Sequence, residues 1–302
     1  MKQLVILSGK GGTGKTSVTA AFAHLAYTGN PPVRAILADA DVDASNLELV
    51  LNPTVLETYE FMGGKVAVID PQLCTGCGIC AQVCRFDAIL DIGELDIEKP
   101  NIPIIDPIAC DGCAACVYQC PTEAIQMEEQ LAGHWFRSRS SYGPLFHAAL
   151  RPAQENSGKL VTMVKQQARL LALDEGYDLV LVDGPPGIGC PVISAASGAD
   201  LALIVAEPSV AGVHDMERVL QTTDHFGVPA LVCINKADLN PEGTAAIEAF
   251  CREQGIKVVG RIPFDTVVTE AMVQGLPVTA FEDTPVTQAL RRIWTRILAR
   301  LT

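Results

Sequence analysis

Near the amino terminus, Gly9-Lys10-Gly11-Gly12-Thr13-Gly14-Lys15-Thr16 fits GxxxxGK[ST]. Glycines at this spacing let backbone N–H groups wrap phosphate oxygens, and a helix starting at Lys15 turns its positive end toward them. Gly11, Gly12, Thr13, Gly14, Lys15, Thr16 and Ser17 are therefore the predicted nucleotide-binding stretch. Lys15 would reach the β- and γ-phosphates, and the Thr16 hydroxyl would sit on Mg²⁺. Carboxylates close two other apolar runs, at Asp39-Ala40-Asp41 and at Asp183, which leads into Gly184-Pro185-Pro186-Gly187. Acids so placed beside a phosphate loop hold Mg²⁺ or its waters, or orient the attacking water. A helix N-cap is the alternative for Asp41 or Asp43.

The second set is sulfur. Cys74-x2-Cys77-x2-Cys80-x3-Cys84 recurs 36 residues later as Cys110-x2-Cys113-x2-Cys116-x3-Cys120, each followed by a similar tail, Phe86-Asp87-Ala88-Ile89 and Thr122-Glu123-Ala124-Ile125. A tetrahedral zinc site wants four ligands in two pairs, not two runs of four. This is the bacterial ferredoxin spacing, in which each run's fourth cysteine ligates the other [4Fe–4S] cluster. One cluster is thus assigned to Cys74, Cys77, Cys80 and Cys120, the other to Cys110, Cys113, Cys116 and Cys84. Pro121 follows Cys120 as that pattern expects, but Arg85 follows Cys84. A cation there is expected to raise that cluster's potential relative to its twin.

Three cysteines remain. Cys233 lies in an apolar run and Cys251 on a helical pattern, both expected in the core; Cys190, seven residues after Asp183, is a candidate for sharing a metal or cluster across a dimer.

These groups need a scaffold. Leu4–Leu7, Ala35–Ala38, Leu179–Val182, Leu201–Ala206, Leu231–Ile234 and Val258–Ile262 are continuous apolar runs, the mark of buried parallel strands. Helical patterns alternate with them at Lys15–Thr28, Lys159–Glu175, Val213–His225, Pro241–Gln254 and Pro285–Leu301. The predicted fold is α/β, a doubly wound, mostly parallel sheet with its ligands at the strands' carboxyl ends. The alternation breaks between the two halves. Residues 1–65 and 131–302, together 237, are read as one domain, and 66–130 as an inserted small α+β ferredoxin domain. Ile89–Ile105 is expected to form a hairpin or extended edge within it. Asn156-Ser157-Gly158-Lys159 reads as a helix-capping turn. His134, Trp135 and His147 are expected in a surface loop returning to the sheet.

Composition narrows the class. The 302 residues are 49% apolar with net charge −13, which argues against a nucleic-acid surface. Eleven cysteines without a signal-peptide pattern suggest metal-binding thiols in the cytoplasm. No apolar stretch reaches the roughly 18 residues of a membrane span.

The second loop lysine makes the pattern KGGxGK[ST], which resembles the deviant Walker A ATPases: MinD, Mrp-type proteins, ParA and the nitrogenase iron protein. The resemblance implies a P-loop NTPase with ATP/ADP and Mg²⁺ as cofactors. It implies that Lys10 crosses a dimer interface to the partner's nucleotide, that Asp41 positions or activates water, and that Asp39 and Asp183 lie near Mg²⁺. Asp43 and Asn46 belong to the same switch segment. The Gly187 amide would sense the γ-phosphate. Asn235-Lys236-Ala237-Asp238 is similar to the family's base-contacting element and Ile262-Pro263-Phe264-Asp265 to its adenine-side loop, which assigns Asn235, Pro263 and Asp265 to the base. The whole chain resembles the superfamily members carrying an inserted ferredoxin. These imply a Mg²⁺-ATP-dependent ATPase, slow without its partner, acting as a homodimer or as a heterodimer with a paralogue. It would gate electron transfer to, or handle clusters and metals for, a partner protein. Two alternatives are a cluster carrier using Cys190, against which the missing Mrp-type CxxC counts, and a MinD- or ParA-like positioning ATPase. The final helix, with Leu290, Ile293, Trp294, Ile297, Leu298 and Leu301 on one face, is expected to dock on the sheet rather than target a membrane.

Overall fold

The computed structural model describes residues 1–90, 102–151 and 157–301. The chain forms two compact units: Met1–Tyr59, His134–Ala149 and Ser157–Thr302 make the first, and Glu60–Gly133 with Leu150–Asn156 the second.

In chain order the first unit begins with β1 (Lys2–Ser8), α1 (Lys15–Thr28), β2 (Ala35–Asp39) and α2 (Leu47–Leu51). Strand β3 (Thr54–Ile69) leads into the second unit, which holds α3 (Ile79–Val83), β4 (Ile89–Leu90), β5 (Ile104–Ile105) and α4 (Ala115–Gln119). Strand β6 (Ile125–Ser140) leads back. The remainder is β7 (Gly143–Leu150), α5 (Ser157–Glu175), β8 (Leu179–Pro186), α6 (Cys190–Ala196), β9 (Leu201–Ala206), α7 (Gly212–His225), β10 (Ala230–Asn235), α8 (Pro241–Glu253), β11 (Lys257–Ile262), α9 (Val267–Val273), α10 (Val278–Phe281) and α11 (Pro285–Leu301).

Among the described residues nine strands form one sheet, ordered β11-β10-β9-β1-β8-β2-β7-β6-β3, and every pairing from β11 through β7 is parallel. The central strands are buried on both faces because helices cover both, which is why they read as unbroken apolar runs. Helix α11 lays Leu290, Ile293, Trp294 and Ile297 into the core, and Trp294 meets Phe22 of α1 at 5.1 Å between ring centroids. The final helix is therefore docked. Cys233 and Cys251 are fully buried.

The expected loop around His134, Trp135 and His147 is corrected: these residues lie on β6 and β7. His147 is 2% exposed, with Nε2 2.9 Å from Ser138 Oγ and Nδ1 2.9 Å from a Glu48 carboxylate oxygen. Sheet pairing and burial override a Ser-, Arg- and Gly-rich composition here. Of the expected capping turn, Ser157–Lys159 open α5, while Asn156 lies outside the described residues. Gly93 and Pro100 of the expected hairpin lie outside them too, but its ends pair antiparallel as Ile89 with Ile105 and Leu90 with Ile104.

Candidate functional site

Strand β1 ends at Ser8, and the chain turns through the glycine loop into α1. Gly12 and Gly14 hold φ of 73° and 92°, the left-handed region that glycine enters without steric cost. A Cβ on Gly14 would also strike the Asn235 amide, whose Nδ2 donates to the Thr13 carbonyl at 2.7 Å and pins the loop. The loop opens on a cavity of about 690 Å³. Gly11, Gly12, Gly14, Lys15, Thr16, Ser17, Asp41, Asn235, Pro263 and Asp265 all line it, so residues from four separate loops converge there. Phe264, Val268, Met272 and Val278 supply an apolar end suited to a flat base.

Lys15 is 6% exposed and donates to Ser8 Oγ at 3.0 Å. Burial pulls its ammonium down, against the charges of Asp183, Asp41 and Asp39. Asp39 and Asp183 stand side by side in register on β2 and β8, both fully buried. Burial pushes both carboxyls well up, and each other's charge adds to it at Asp39. The Asp39 oxygens accept from Asp41 N (3.1 Å), Ser45 Oγ (2.7 Å) and Leu47 N (3.0 Å), so Asp39 braces the segment between β2 and α2. Asp183 Oδ1 accepts from Thr19 Oγ1 at 2.9 Å, while Oδ2 is buried with no partner. Thr13 Oγ1 is a second buried orphan in the loop. An unpartnered carboxylate oxygen beside a phosphate cradle fits a hydrated divalent cation. Asp41 is half-buried, and desolvation lifts it to about 6 against the pull of Lys15. Neither Asp41 nor Asp43 caps α2, whose N-cap is Asn46.

Two expected contacts are arranged differently. Lys10 does not line the cavity; its Nζ is 3.2 Å from Glu207 and donates to Ser209 Oγ at 3.1 Å. Glu207 also pairs with Lys236 at 3.3 Å, and Lys236 Nζ donates to the Gly12 carbonyl at 3.1 Å. The Gly187 amide, expected to meet a phosphate, donates to the Ser8 carbonyl at 2.9 Å. Sequence reasoning missed Ser8, Glu207 and Ser209, because nothing in their spacing ties them to the loop.

In the second unit the two cysteine runs fold alike. Gly76 and Gly112, Gly78 and Ala114, and Asp87 and Glu123 are pairs one repeat apart, and all have positive φ. The halves are tied crosswise: Asp70 N donates to Ala124 O at 2.7 Å, and Asp106 N to Ala88 O at 2.8 Å. Each run's approach is thus bonded to the tail that follows the other run, which carries the fourth cysteine across. Cys74, Cys77, Cys80 and Cys120 line one small pocket; Cys84, Cys110, Cys113 and Cys116 line another. One pocket is walled by Ile69 and Ile125, the other by Ile89 and Ile105. Sulfurs ringing an apolar void suit a multi-iron cluster, the chemistry of the donor set. Among the described residues no three His, Cys, Asp or Glu gather tightly enough for a single ion. Burial pushes the Cys80 and Cys116 thiols up; hydrogen bonds from Thr122 and the 122–124 backbone pull Cys120 down despite its burial. Cys190 is exposed at the start of α6.

Among the described residues no helix is long and apolar enough to cross a membrane. Residues 4–278 match the CobQ/CobB/MinD/ParA nucleotide-binding domain. An uncharacterized protein of Methanocaldococcus jannaschii is 35% identical over 238 residues, 79% of each chain. The iron-sulfur cluster carrier protein of Pyrococcus horikoshii is 26% identical over 158 residues, 48% of this chain and 53% of that one. The fold is similar to that of the septum site-determining protein MinD, complexed with Mg-ADP, from Pyrococcus horikoshii: TM-score 0.58 at 19% identity, covering 99% of this chain and 97% of that one.

Proposed function

Because the chain belongs to the CobQ/CobB/MinD/ParA nucleotide-binding family, we propose that it is a Mg²⁺-ATP-dependent ATPase that works as a dimer, carries two [4Fe–4S] clusters and couples nucleotide state to its clusters. Its domains are a P-loop ATPase interrupted by a ferredoxin module. The output is electron transfer to, or cluster and metal handling for, a partner protein. The dimer is made of two copies or of this chain and a paralogue. The carrying observation is the sorting of eight cysteines into two crossed quartets within a chain whose other unit is a P-loop fold.

Bound Mg²⁺-ATP would supply the electrophilic phosphorus, and the clusters one-electron chemistry. The loop amides from Gly11 to Thr16 cradle the phosphates, with Lys15 neutralising charge at their far end. Thr16 and the free oxygen of Asp183 would hold the metal. Asp41, lifted to about 6, is a stronger proton acceptor than an ordinary carboxylate and holds the attacking water. Asn235, Pro263 and Asp265 hold the base. Lys10 acts after leaving Glu207. Asp39 transmits the change: when its carboxylate releases Ser45 and Leu47, α2 is freed, and the chain continues from α2 into β3, which leads to the cluster-bearing unit.

Lys15→Ala tests the site: turnover is lost while the iron content stays at roughly eight per chain. Full residual turnover refutes the assignment. A second reading, cluster delivery through Cys190, is favoured by that thiol's exposure and by the partial likeness to a cluster carrier. It predicts that Cys190→Ala lowers iron transfer to an apo-acceptor; unchanged iron content and transfer sink it.

A further inference from the structure

A second cavity, of about 570 Å³, lies between α5 and α6 and shares no lining residue with the nucleotide cavity. Gln3 lines it from the start of β1, the end opposite the phosphate loop. Its amide Nε2 is buried without an acceptor on a residue 4% exposed, a deficit that folding leaves uncompensated. Lys165, 7% exposed, also lines the cavity; its Nζ donates to the carbonyls of Ser194, Ala195 and Ser197 at 2.6 to 2.8 Å. Those bonds satisfy its three protons, and the C-terminal carbonyls of α6 offset its charge. Arg169 lies one helical turn along α5 on the same wall. Among the described residues no carboxylate lies within ion-pair distance of either cation. Burial, then the Arg169 charge, brings the Lys165 ammonium down to about 8. Arg169 and an orphaned donor on one wall lack a negative oxygen. Leu170, Leu173 and Ile193 make the rest of the lining apolar.

We propose that this cavity binds a small organic anion, its carboxylate or phosphate head held by Arg169 and the Gln3 amide over Lys165, its carbon body against Leu170, Leu173 and Ile193. The occupant bridges α5 to α6, the helix that begins three residues after Gly187.

The probes are hexanoate, its uncharged match hexanamide, and inorganic phosphate as a head alone, titrated calorimetrically into the full chain. Saturable hexanoate binding is expected, with hexanamide roughly tenfold weaker or worse. Arg169→Gln, at an exposed position, loses roughly tenfold or more, and so does Gln3→Leu; should Gln3→Leu fail to fold, Arg169→Gln decides alone. Hydrogen exchange over α6 slows on binding. Lys15→Ala retains hexanoate binding, which separates this cavity from the phosphate loop. Phosphate binding that survives Lys15→Ala and falls in Arg169→Gln supports the same head site. Equal affinity for hexanoate and hexanamide, loss of binding in Lys15→Ala, or no saturable binding by either anion overturns the proposal.

Discussion

Replacing Asp183 by Asn should stabilise the nucleotide-free protein and destabilise the nucleotide-bound one relative to wild type. Asp39 and Asp183 are buried in register on adjacent strands, whose axes run about 4.8 Å apart. Two full charges at that separation would repel by about 3 kcal/mol at an effective dielectric constant of about 20. Asp39, lifted to about 8, therefore keeps its proton at neutral pH, and what Asn relieves is the burial of the one remaining charge beside the Lys15 ammonium, about 1–2 kcal/mol. Asn keeps an oxygen for the Thr19 hydroxyl and replaces the orphaned Oδ2 with an amide group beside the Asp39 carboxyl. The melting temperature without nucleotide, in chelator, should therefore rise by roughly 2–3 °C. At a hundredfold excess over Kd, Mg²⁺-ATP adds about 2.7 kcal/mol to the wild type. The variant, lacking the oxygen proposed to hold the metal, gains far less, so the order of stabilities inverts. Calorimetric melts of both proteins with and without Mg²⁺-ATP read this directly. A variant that melts lower than wild type without nucleotide would refute the reasoning, because the pair would then be a net asset to the empty fold.

Glu207→Gln removes the carboxylate that holds Lys10 and Lys236, and ATP-dependent self-association, read by light scattering, should rise as Lys10 becomes free to cross to a partner. Burial pushes the Glu207 carboxyl up, but its hydrogen bonds to the lysines win and hold it below its ordinary value. The tether's stabilisation is therefore present above pH about 4.5 and lost as pH falls through the lower folded value, whereas Glu207→Gln lacks that dependence. Cys120→Ala should damage the same cluster as Cys74→Ala, and Cys84→Ala the same as Cys110→Ala, each pair giving one electron-paramagnetic-resonance signature; a match between Cys120→Ala and Cys110→Ala instead would undo the crossed assignment. Arg85→Pro should lower the midpoint potential of the Cys84 cluster alone, and identical midpoints for wild type and variant would remove the claim.

The parallel strands and the helices α1 and α11 were readable because burial on both faces, or a regular apolar stripe, leaves a continuous signature. Strands β3 and β6 were not. Val55, Leu56 and Tyr59 of β3 are exposed, so neither an unbroken run nor a clean alternation marks the strand. His147 went the same way: a polar residue buried against Ser138 and Glu48 looks, in sequence, like one in a loop. The glycine loop, Asp41, Asp43 and the expected base-side residues Asn235, Pro263 and Asp265 share one cavity because a doubly wound sheet gathers the carboxyl ends of its strands, while Asp39 and Asp183 lie buried outside its lining. The eight cysteines group around two pockets in the sets that their spacing suggests, and the reciprocal bonds of Asp70 and Asp106 accompany that grouping. The Glu207 tether on Lys10 was not readable, since 197 residues separate the partners and only the packing of β9 beside β1 brings them together.

Nucleotide state at the phosphate loop is proposed to alter the cluster-bearing unit. The most direct test is potentiometric titration of both clusters, followed by electron paramagnetic resonance, with the protein held in Mg²⁺-ADP and then in a non-hydrolysable Mg²⁺-ATP analogue. Different midpoint potentials are expected in the two nucleotide states for the wild type, and a single set for Lys15→Ala. Midpoints that coincide in the wild type under both nucleotides would contradict the proposal.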